Sequence, residues 1–217
     1  MTVSASELAG GPAAGVSEGD SGGVARDLGS LAARLREGTV EVTSVGGRGS
    51  GSGVIWDSRG LVITNAHVVP RSVRAVDLRV ILADGRNVAA HVVARDGRRD
   101  LALIAINADQ LPSPLPIGEP TALRPGQLVV AMGHPFGIVG AVALGVVHTL
   151  DRYGPGGLPR WVCADIRLAP GNSGGPLVNA LGQVVGINAM IVSGLGFAVS
   201  TTRVGRFLAD VASADRL

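Results

Sequence analysis

Short runs of apolar, often β-branched residues alternate along this chain with turn sequences built from glycine, proline and aspartate. Runs of this length, in which apolar and polar positions alternate, are typical of β-strands. In the first half, turns that contain aspartate and glycine at 57–60, 84–85 and 96–97 separate the runs. The pattern predicts six strands of one antiparallel barrel, at 39–45, 51–56, 61–65, 76–83, 86–95 and 100–107.

A second group of strands is predicted after a proline-rich connection at 108–122, where strand pairing is interrupted because proline has no N–H to donate. A closing helix is predicted at 201–213, since Val204, Phe207 and Val211 share one helical face. The strands of this group are predicted at 127–133, 141–150, 160–166, 175–179, 183–191 and 195–200. We therefore predict an all-β fold of two six-stranded antiparallel β-barrels with a short C-terminal helix.

The predicted domain organisation follows from these elements. Residues 1–26 are rich in glycine, alanine and serine without periodicity, so we expect a flexible N-terminal tail. A short helix is predicted at 27–38, because leucines recur there at helical spacing. The first barrel lobe with its linker then covers 39–120, and the second lobe with the closing helix covers 121–217.

Composition narrows the class of protein. The chain is 46% hydrophobic and has 33 glycines but only 3% aromatic residues, which favours many short strands joined by tight turns. Its 19 basic residues are all arginines, are scattered along the sequence and leave a formal net charge of only +2. Nucleic-acid binding is therefore not expected.

Cysteine content and hydropathy bear on redox chemistry and location. Cys163 is the single cysteine, so no disulfide can form within the chain, and its place in an alternating run predicts a buried side chain. No run approaches the roughly 20 apolar residues of a membrane span. The N-terminus has no basic region followed by an apolar stretch, so we predict no signal peptide and expect a cytoplasmic location.

The sequence Ala-Pro-Gly-Asn-Ser-Gly-Gly-Pro-Leu at 169–177 carries the strongest chemical signal. Its glycines leave room for a substrate backbone beside Ser173, and they free backbone N–H groups that would stabilise an oxyanion. A serine hydroxyl is a weak nucleophile at neutral pH, so this hypothesis requires a general base elsewhere in the chain.

Two residues are candidates for the groups that the serine needs. His67 ends an apolar run and is the candidate base. Asp100 opens a strongly apolar run and is the candidate acid that orients the imidazole, although a solvated turn acid is its alternative role. The chain order excludes the Gly-x-Ser-x-Gly elbow of α/β-hydrolases, which needs a histidine after Ser173, whereas the last histidine is His148.

Six sequence blocks between residues 39 and 205 point to one family. They are Gly-Ser-Gly-Val-Ile at 51–55, Ile-Thr-Asn-Ala-His-Val-Val at 63–69, Asp-Leu-Ala-Leu-Ile at 100–104, Gly-His-Pro-Phe-Gly at 133–137, Pro-Gly-Asn-Ser-Gly-Gly-Pro-Leu at 170–177 and Gly-Phe-Ala-Val at 196–199. In this order the blocks resemble those of the HtrA/Deg-type trypsin-like serine proteases, which have a chymotrypsin-like fold.

The resemblance implies a serine endopeptidase whose catalytic triad is His67, Asp100 and Ser173. It also implies an oxyanion hole formed by the N–H groups of Gly171 and Ser173, with Asn172 shaping the turn between them. An acyl-enzyme mechanism without a cofactor and unfolded or flexible polypeptide substrates follow from the same resemblance. One alternative is a binding or chaperone-like module with little turnover. Another is an enzyme that stays inactive until a partner orders its loops.

The substrate pocket is predicted around the segment that precedes Ser173. If the Arg167 side chain points inward, it would favour acidic residues at P1, the substrate position before the cleaved bond. If it pairs with Asp165 or faces solvent, small aliphatic walls would set the specificity, and we favour this alternative because an unpaired buried arginine is costly. The candidate wall residues are Leu168, Ala189, Met190, Leu195, Gly196 and Ala198.

The remaining histidines have structural alternatives. His134 lies in Gly-His-Pro-Phe-Gly, where the resembling family more often has asparagine, and it is predicted as a turn residue or a substrate contact. His91 and His148 fall within predicted strands and are expected to be hydrogen-bonded there. The four histidines show no spacing typical of metal ligands, so no metal site is predicted.

Further expectations concern assembly and regulation. The chain ends soon after the closing helix, so we expect no PDZ domain. Trimers of the resembling family are usually held by apolar and aromatic N-terminal contacts, and no aromatic residue precedes Thr39, so monomer and trimer both stay open. Regulation would act through the order of the loops at 133–140, 152–159 and 190–196.

Overall fold

The computed structural model describes residues 21–44, 50–69, 78–152 and 157–214. Six strands form the first closed antiparallel barrel: β1 Thr39–Ser44, β2 Ser50–Ile55, β3 Leu61–Thr64, β4 Leu78–Ile81, β5 Asn87–Asp96 and β6 Leu101–Ile106. Six more form the second: β7 Leu128–Gly133, β8 Ala141–Arg152, β9 Pro159–Asp165, β10 Pro176–Asn179, β11 Val184–Val192 and β12 Leu195–Ser200. The strand orders are β1-β2-β3-β6-β5-β4 and β10-β11-β12-β9-β8-β7.

The predicted fold class is confirmed, including the C-terminal helix, α2, at Thr201–Ala214. The predicted strand at 76–83 is described only from Leu78, because residues 70–77 lie outside the described ranges. Asp100 was predicted as the first residue of a strand, but it lies in the turn before β6 with a φ of 55°. Aspartate adopts this left-handed conformation more readily than most residues, which the strand pattern alone does not show.

The N-terminal helix, α1, begins earlier than predicted and covers Ser21–Gly38. Residues 21–26 of the predicted flexible tail are therefore helical, and residues 1–20 lie outside the described ranges. Glycines at 22 and 23 argued against a helix because glycine is a poor helix former. In a folded protein, however, most helix stability comes from packing of the apolar face. Leu31 and Leu35 supply that packing, since both are buried in the main core.

Some strands are apolar at every position because both of their faces are buried. In β6, Ala102 and Ile104 belong to the core inside the first barrel, whereas Leu101 and Leu103 belong to a cluster between the two barrels. Strand β7 alternates in the same way between the interior of the second barrel and this shared cluster. The shared core therefore packs the barrels against each other through alternate residues of the same strands.

Helix α2 closes the molecule over this shared core. Phe207 is buried in it. The Arg203 guanidinium lies 5.7 Å from the ring centroid of Trp161 in β9 and donates to the Arg98 carbonyl at 2.9 Å. The helix thus links the second barrel to the turn of the first barrel that precedes β6. Neither α1 nor α2 is both long and apolar enough to cross a membrane, and no other described segment forms such a helix.

We predict that Phe207→Ala lowers the free energy of unfolding by about 3–5 kcal/mol, because it leaves a cavity between the barrels. Urea denaturation followed by tryptophan fluorescence measures this change. Arg206→Ala, on the exposed side of the same helix, is the matched control and should change stability by less than about 0.5 kcal/mol. Equal losses in the two variants would contradict the packing described for α2.

Candidate active site

His67 and Asp100 meet because neighbouring strands of the first barrel deliver them. Strand β3 pairs with β6 with Thr64 opposite Ala102, so residues just after β3 and just before β6 lie side by side. The His67 Nδ1 atom lies 2.8 Å from Asp100 Oδ2 and 3.0 Å from Oδ1, and the His67 backbone N–H donates to Oδ1 at 3.1 Å. A carboxylate in this place favours the imidazole tautomer with its proton on Nδ1, which leaves Nε2 free to accept a proton.

Asp100 is held in place by the turn that it ends. Its carbonyl accepts a hydrogen bond from Asn65 Nδ2 at 3.0 Å. The Asp96 carboxylate accepts the backbone N–H of Arg99 at 3.0 Å, and the Arg99 guanidinium pairs with Asp210 of α2 at 2.6 Å. The turn is therefore fixed both by its own side chains and by the closing helix.

Ser173 lies on the loop between β9 and β10 of the second barrel, and this loop docks onto the first barrel. The Ser173 carbonyl accepts the N–H of Ser52 in β2 at 2.7 Å. A side chain on the next residue, Gly174, would collide with the Ser52 carbonyl and the Thr64 hydroxyl. Since Thr64 ends β3 shortly before His67, the docked loop brings Ser173 to the same end of the first barrel as the imidazole.

The Ser173 hydroxyl donates to the Ala189 carbonyl at 3.1 Å. Within the described ranges, no hydrogen bond joins the His67 and Ser173 side chains. Transfer of the hydroxyl proton to His67 Nε2 would first require this hydroxyl to leave Ala189. Such reorientation is common, because catalytic hydrogen bonds often tighten only when substrate is bound.

From Gly171 to Gly174, the backbone N–H groups of the serine loop alternate between unbonded and bonded. The N–H groups of Gly171 and Ser173 have no acceptor among the residues that the structure describes. Two unbonded amides separated by one residue can bind a single anionic oxygen. The bonded N–H groups and their carbonyl acceptors are Asn172 to Ala169 at 3.0 Å, Gly174 to Asn188 at 2.8 Å and Gly175 to Asn172 at 3.1 Å.

A tight turn presents the Gly171 amide. Pro170 and Gly171 are its central residues, and the Asn172 N–H closes it on the Ala169 carbonyl. The φ of +103° at Gly171 after a proline is typical of a type II turn, which only glycine occupies without strain. The Asn172 N–H closes this turn and is not free as a further oxyanion donor.

A cavity of about 190 Å³ opens beside Ser173. Three predicted wall residues, Leu168, Ala189 and Met190, line it. Its other lining residues are Ala169, Pro170, Asn172 and Ile191. Ala169, Pro170 and Ile191 were not predicted as walls, although each adjoins a predicted site residue in the sequence. Ala169 and Pro170 belong to the turn that the Asn172 N–H closes, and Ile191 follows Met190 in β11.

Arg167 does not line this cavity. Its side chain is exposed in a separate depression formed with residues 142–146 and Asp165. Successive side chains of an extended segment point to opposite sides, and Leu168 takes the cavity side. The structure therefore places Arg167 outward, which removes the basis for an acidic P1 preference.

Three further predicted wall residues lie behind or beyond the cavity. Gly196 packs behind Leu168, where a Cβ atom would lie 3.0 Å from the leucine Cδ1. Ala198 belongs to the core of the second barrel. Leu195 pairs with Val192 at the end of the β11–β12 hairpin. Their positions follow from how β12 pairs with its neighbouring strands. This pairing cannot be read from the sequence around these residues.

His134 is buried, with 2% of its surface exposed, and it precedes the 3₁₀ turn Pro135–Gly137. Its backbone N–H donates to Ser52 Oγ at 3.0 Å, and its Nδ1 atom lies 3.4 Å from the same oxygen. Burial lowers the pKa of His134 below its ordinary value of about 6.5, with an opposing contribution from Glu41 and a further lowering by Arg36. Of the two predicted roles, the buried position agrees with that of a turn residue.

Cys163 is buried in β9, and burial raises the pKa of its thiol. The hydrogen bonds expected for His91 and His148 are not formed with described residues, because both side chains are exposed to solvent. Within the described parts of the chain, no three His, Cys, Asp or Glu side chains converge as ligands of a metal ion would.

The two barrels and the groups at their junction define a class of protein. A family model described as "Trypsin-like peptidase domain" matches residues 51–187, a range that contains His67, Asp100 and Ser173. The chain therefore belongs to the trypsin-like peptidase family.

Within this class, the resemblance to HtrA/Deg-type serine proteases is confirmed. The chain is 40% identical over 167 residues to serine protease HTRA1 of Xenopus laevis and 39% identical over 170 residues to serine protease HTRA3 of Rattus norvegicus. It is 38% identical over 188 residues to protease Do-like 1, chloroplastic, of Arabidopsis thaliana. These matches cover 74%, 74% and 81% of this chain but only 36%, 37% and 42% of the relatives. The chain thus spans less than half the length of these relatives.

We predict that His134→Asn makes stability less dependent on pH. The unfolded chain binds a proton at His134 near pH 6.5, whereas the folded chain binds it only at lower pH, so wild-type stability falls as the pH drops below about 6.5. Melting temperatures between about pH 7.5 and pH 5 measure the difference. His148→Asn, at an exposed position in β8, should keep the wild-type dependence. Parallel curves for wild type and His134→Asn would rule out this role of burial.

Proposed function

We propose that the chain is a serine endopeptidase with Ser173 as nucleophile, His67 as general base and Asp100 as the acid that orients the imidazole. The strongest support is the pair of unbonded N–H groups, of Gly171 and Ser173, on a loop docked against Ser52 and Thr64 of the barrel that carries the His67–Asp100 pair. In this proposal the two N–H groups bind the oxyanion that forms when Ser173 Oγ attacks a peptide carbonyl. Each such donor is worth about 10²–10³-fold in kcat where it has been measured.

The proposed reaction follows from the orientation of the imidazole. His67 Nε2 takes the Ser173 hydroxyl proton as Oγ bonds to the carbonyl carbon. The His67 imidazolium then gives this proton to the amine, which leaves as the C–N bond breaks and the acyl-enzyme forms. The Asp100 carboxylate holds Nδ1–H and stabilises the imidazolium that forms in between. Water, activated by the same base, then hydrolyses the acyl-enzyme.

We further propose unfolded or flexible polypeptides as substrates, with small aliphatic residues at P1. The cavity beside Ser173 supports this specificity, because its walls carry no charged side chain and its volume is about 190 Å³. A flexible segment can extend across the junction of the barrels and present its carbonyl to Ser173. A folded segment cannot do so without local unfolding.

A fluorophosphonate probe tests the proposed nucleophile. We expect labelling at Ser173, and His67→Ala should slow it by about 100-fold or more, since a general base contributes about 10²–10⁴-fold. His91→Ala, at an exposed position in β5, is the matched control and should label as wild type does. Labelling of the wild type no faster than that of the denatured chain would favour a binding module and contradict the proposal.

Digestion of a peptide library, with products identified by mass spectrometry, tests the proposed specificity. We expect cleavage mainly after valine, alanine and leucine, because these side chains fit an uncharged cavity of this size. Arg167→Ala should leave the P1 profile unchanged, since Arg167 lies outside the cavity. Cleavage after aspartate or glutamate that disappears in Arg167→Ala would contradict this assignment.

A further inference from the structure

Ser52, in β2 of the first barrel, binds the serine loop through both its backbone and its side chain. It is fully buried. Its N–H donates to the Ser173 carbonyl at 2.7 Å, and its Oγ donates to the Gly171 carbonyl at 2.7 Å. One residue of the first barrel thus anchors two carbonyls of a loop that belongs to the second barrel.

The side-chain bond fixes the peptide group that follows Gly171. The carbonyl of this group accepts from Ser52 Oγ, and its N–H, on Asn172, donates to Ala169 at 3.0 Å. A peptide group is planar, so anchors at both ends set its orientation. The preceding peptide group carries the unbonded N–H of Gly171 and is attached directly to this fixed peptide group.

The backbone bond fixes the peptide group that follows Ser173 in the same way. Its carbonyl accepts from the Ser52 N–H, and its N–H, on Gly174, donates to the Asn188 carbonyl at 2.8 Å. The peptide group between the two anchored ones carries the unbonded N–H of Ser173. This middle group is bonded at one end only, because its Asn172 carbonyl accepts the Gly175 N–H at 3.1 Å. The groups on either side of it are bonded at both ends, and Ser52 supplies one of the two bonds to each.

The Ser52 hydroxyl has no freedom to turn away from the loop. Its single proton is donated to Gly171, and its oxygen accepts the His134 backbone N–H at 3.0 Å. The His134 Nδ1 atom, 3.4 Å from the same oxygen, can bond to it only as a donor. The Ser52 carbonyl, in turn, accepts from the Thr64 hydroxyl at 2.6 Å. Every polar group of Ser52 is therefore engaged.

We propose that Ser52 is a positioning residue for oxyanion binding, whose hydroxyl keeps the Gly171 and Ser173 amides aimed at one point. The inference rests on the proposed function. Type I and type II turns differ by rotation of the central peptide group, and that rotation would carry the Gly171 N–H away from the oxyanion. Loss of the Ser52 hydroxyl removes one of the two hydrogen bonds that hold the peptide group after Gly171 and so makes this rotation easier.

Steady-state kinetics of Ser52→Ala test the proposal with a peptide substrate that has valine at P1. We expect kcat to fall by about 10–100-fold with KM within about twofold, because the oxyanion donors act mainly in the transition state. Affinity for a peptide aldehyde ending in valinal, whose adduct carries an oxyanion, should fall in parallel. Ser50→Ala is the matched control: it lies on the same strand but is exposed and donates to Glu41 at 3.0 Å, and it should match wild type.

The outcomes separate this inference from the proposed function. If wild type cleaves the peptide and Ser52→Ala equals Ser50→Ala in kcat and aldehyde affinity, the positioning role is wrong while the endopeptidase stands. A rise in KM alone would also overturn it. If wild type neither cleaves peptides nor reacts with a fluorophosphonate, both proposals fail.

Ser52→Cys keeps the test decisive if thermal unfolding shows that Ser52→Ala does not fold. The thiol has a similar shape but is a weaker hydrogen-bond donor. We expect its kcat and its affinity for the aldehyde to lie between the wild-type values and those expected for Ser52→Ala. A folded Ser52→Cys protein with wild-type kcat and aldehyde affinity would overturn the proposal.

Discussion

The hydrogen bond from the Ser52 N–H to the Ser173 carbonyl sets how the two barrels meet at the candidate site. Apolar packing between the barrels supplies stability, but it is non-directional and does not fix one loop against one strand. This backbone hydrogen bond fixes the serine loop against β2. A side chain at Gly174 would collide with β2 and Thr64, which shows how closely the loop approaches them. His67 and Asp100 come from one barrel and Ser173 from the other, so the three groups can act together only if a contact of this kind holds the serine loop against the first barrel.

This contact and the other hydrogen bonds of the serine loop explain why unbonded amides persist in a structure where most backbone groups are paired. Buried or partly buried N–H groups normally find an acceptor. In the serine loop, the neighbouring peptide groups are anchored by Ser52, Ala169 and Asn188, so the amides of Gly171 and Ser173 cannot turn toward other carbonyls. The donors for an anion are thus oriented before any substrate binds, which is the physical basis of preorganised catalysis.

Much of the fold could be predicted because its signals are local. Turns with aspartate and glycine separate the strands, and Val204 and Phe207 mark the closing helix. The uniformly apolar run 101–106 was predicted as a strand, but its cause, burial on both faces, appears only once the barrels pack together. The start of α1 at Ser21 could not be predicted, since Gly22 and Gly23 give a local signal that tertiary packing overrides.

The sequence predicted which residues would supply the chemistry of the candidate site, but not the contacts that hold them in place. Chain order and sequence blocks identified His67, Asp100 and Ser173 as a set. The outward direction of Arg167 depends on the path of an extended segment after β9. The contacts of Ser52 depend on docking between distant parts of the chain, and neither is visible in a local pattern.

A crystal structure of the chain after reaction with a peptide phosphonate tests the central claim most directly. The adduct should be bonded to Ser173 Oγ, with its phosphonyl oxygen about 2.7–3.1 Å from the backbone nitrogens of both Gly171 and Ser173. An adduct on another residue would contradict the claim. So would a phosphonyl oxygen that points to solvent while the two amides bind elsewhere.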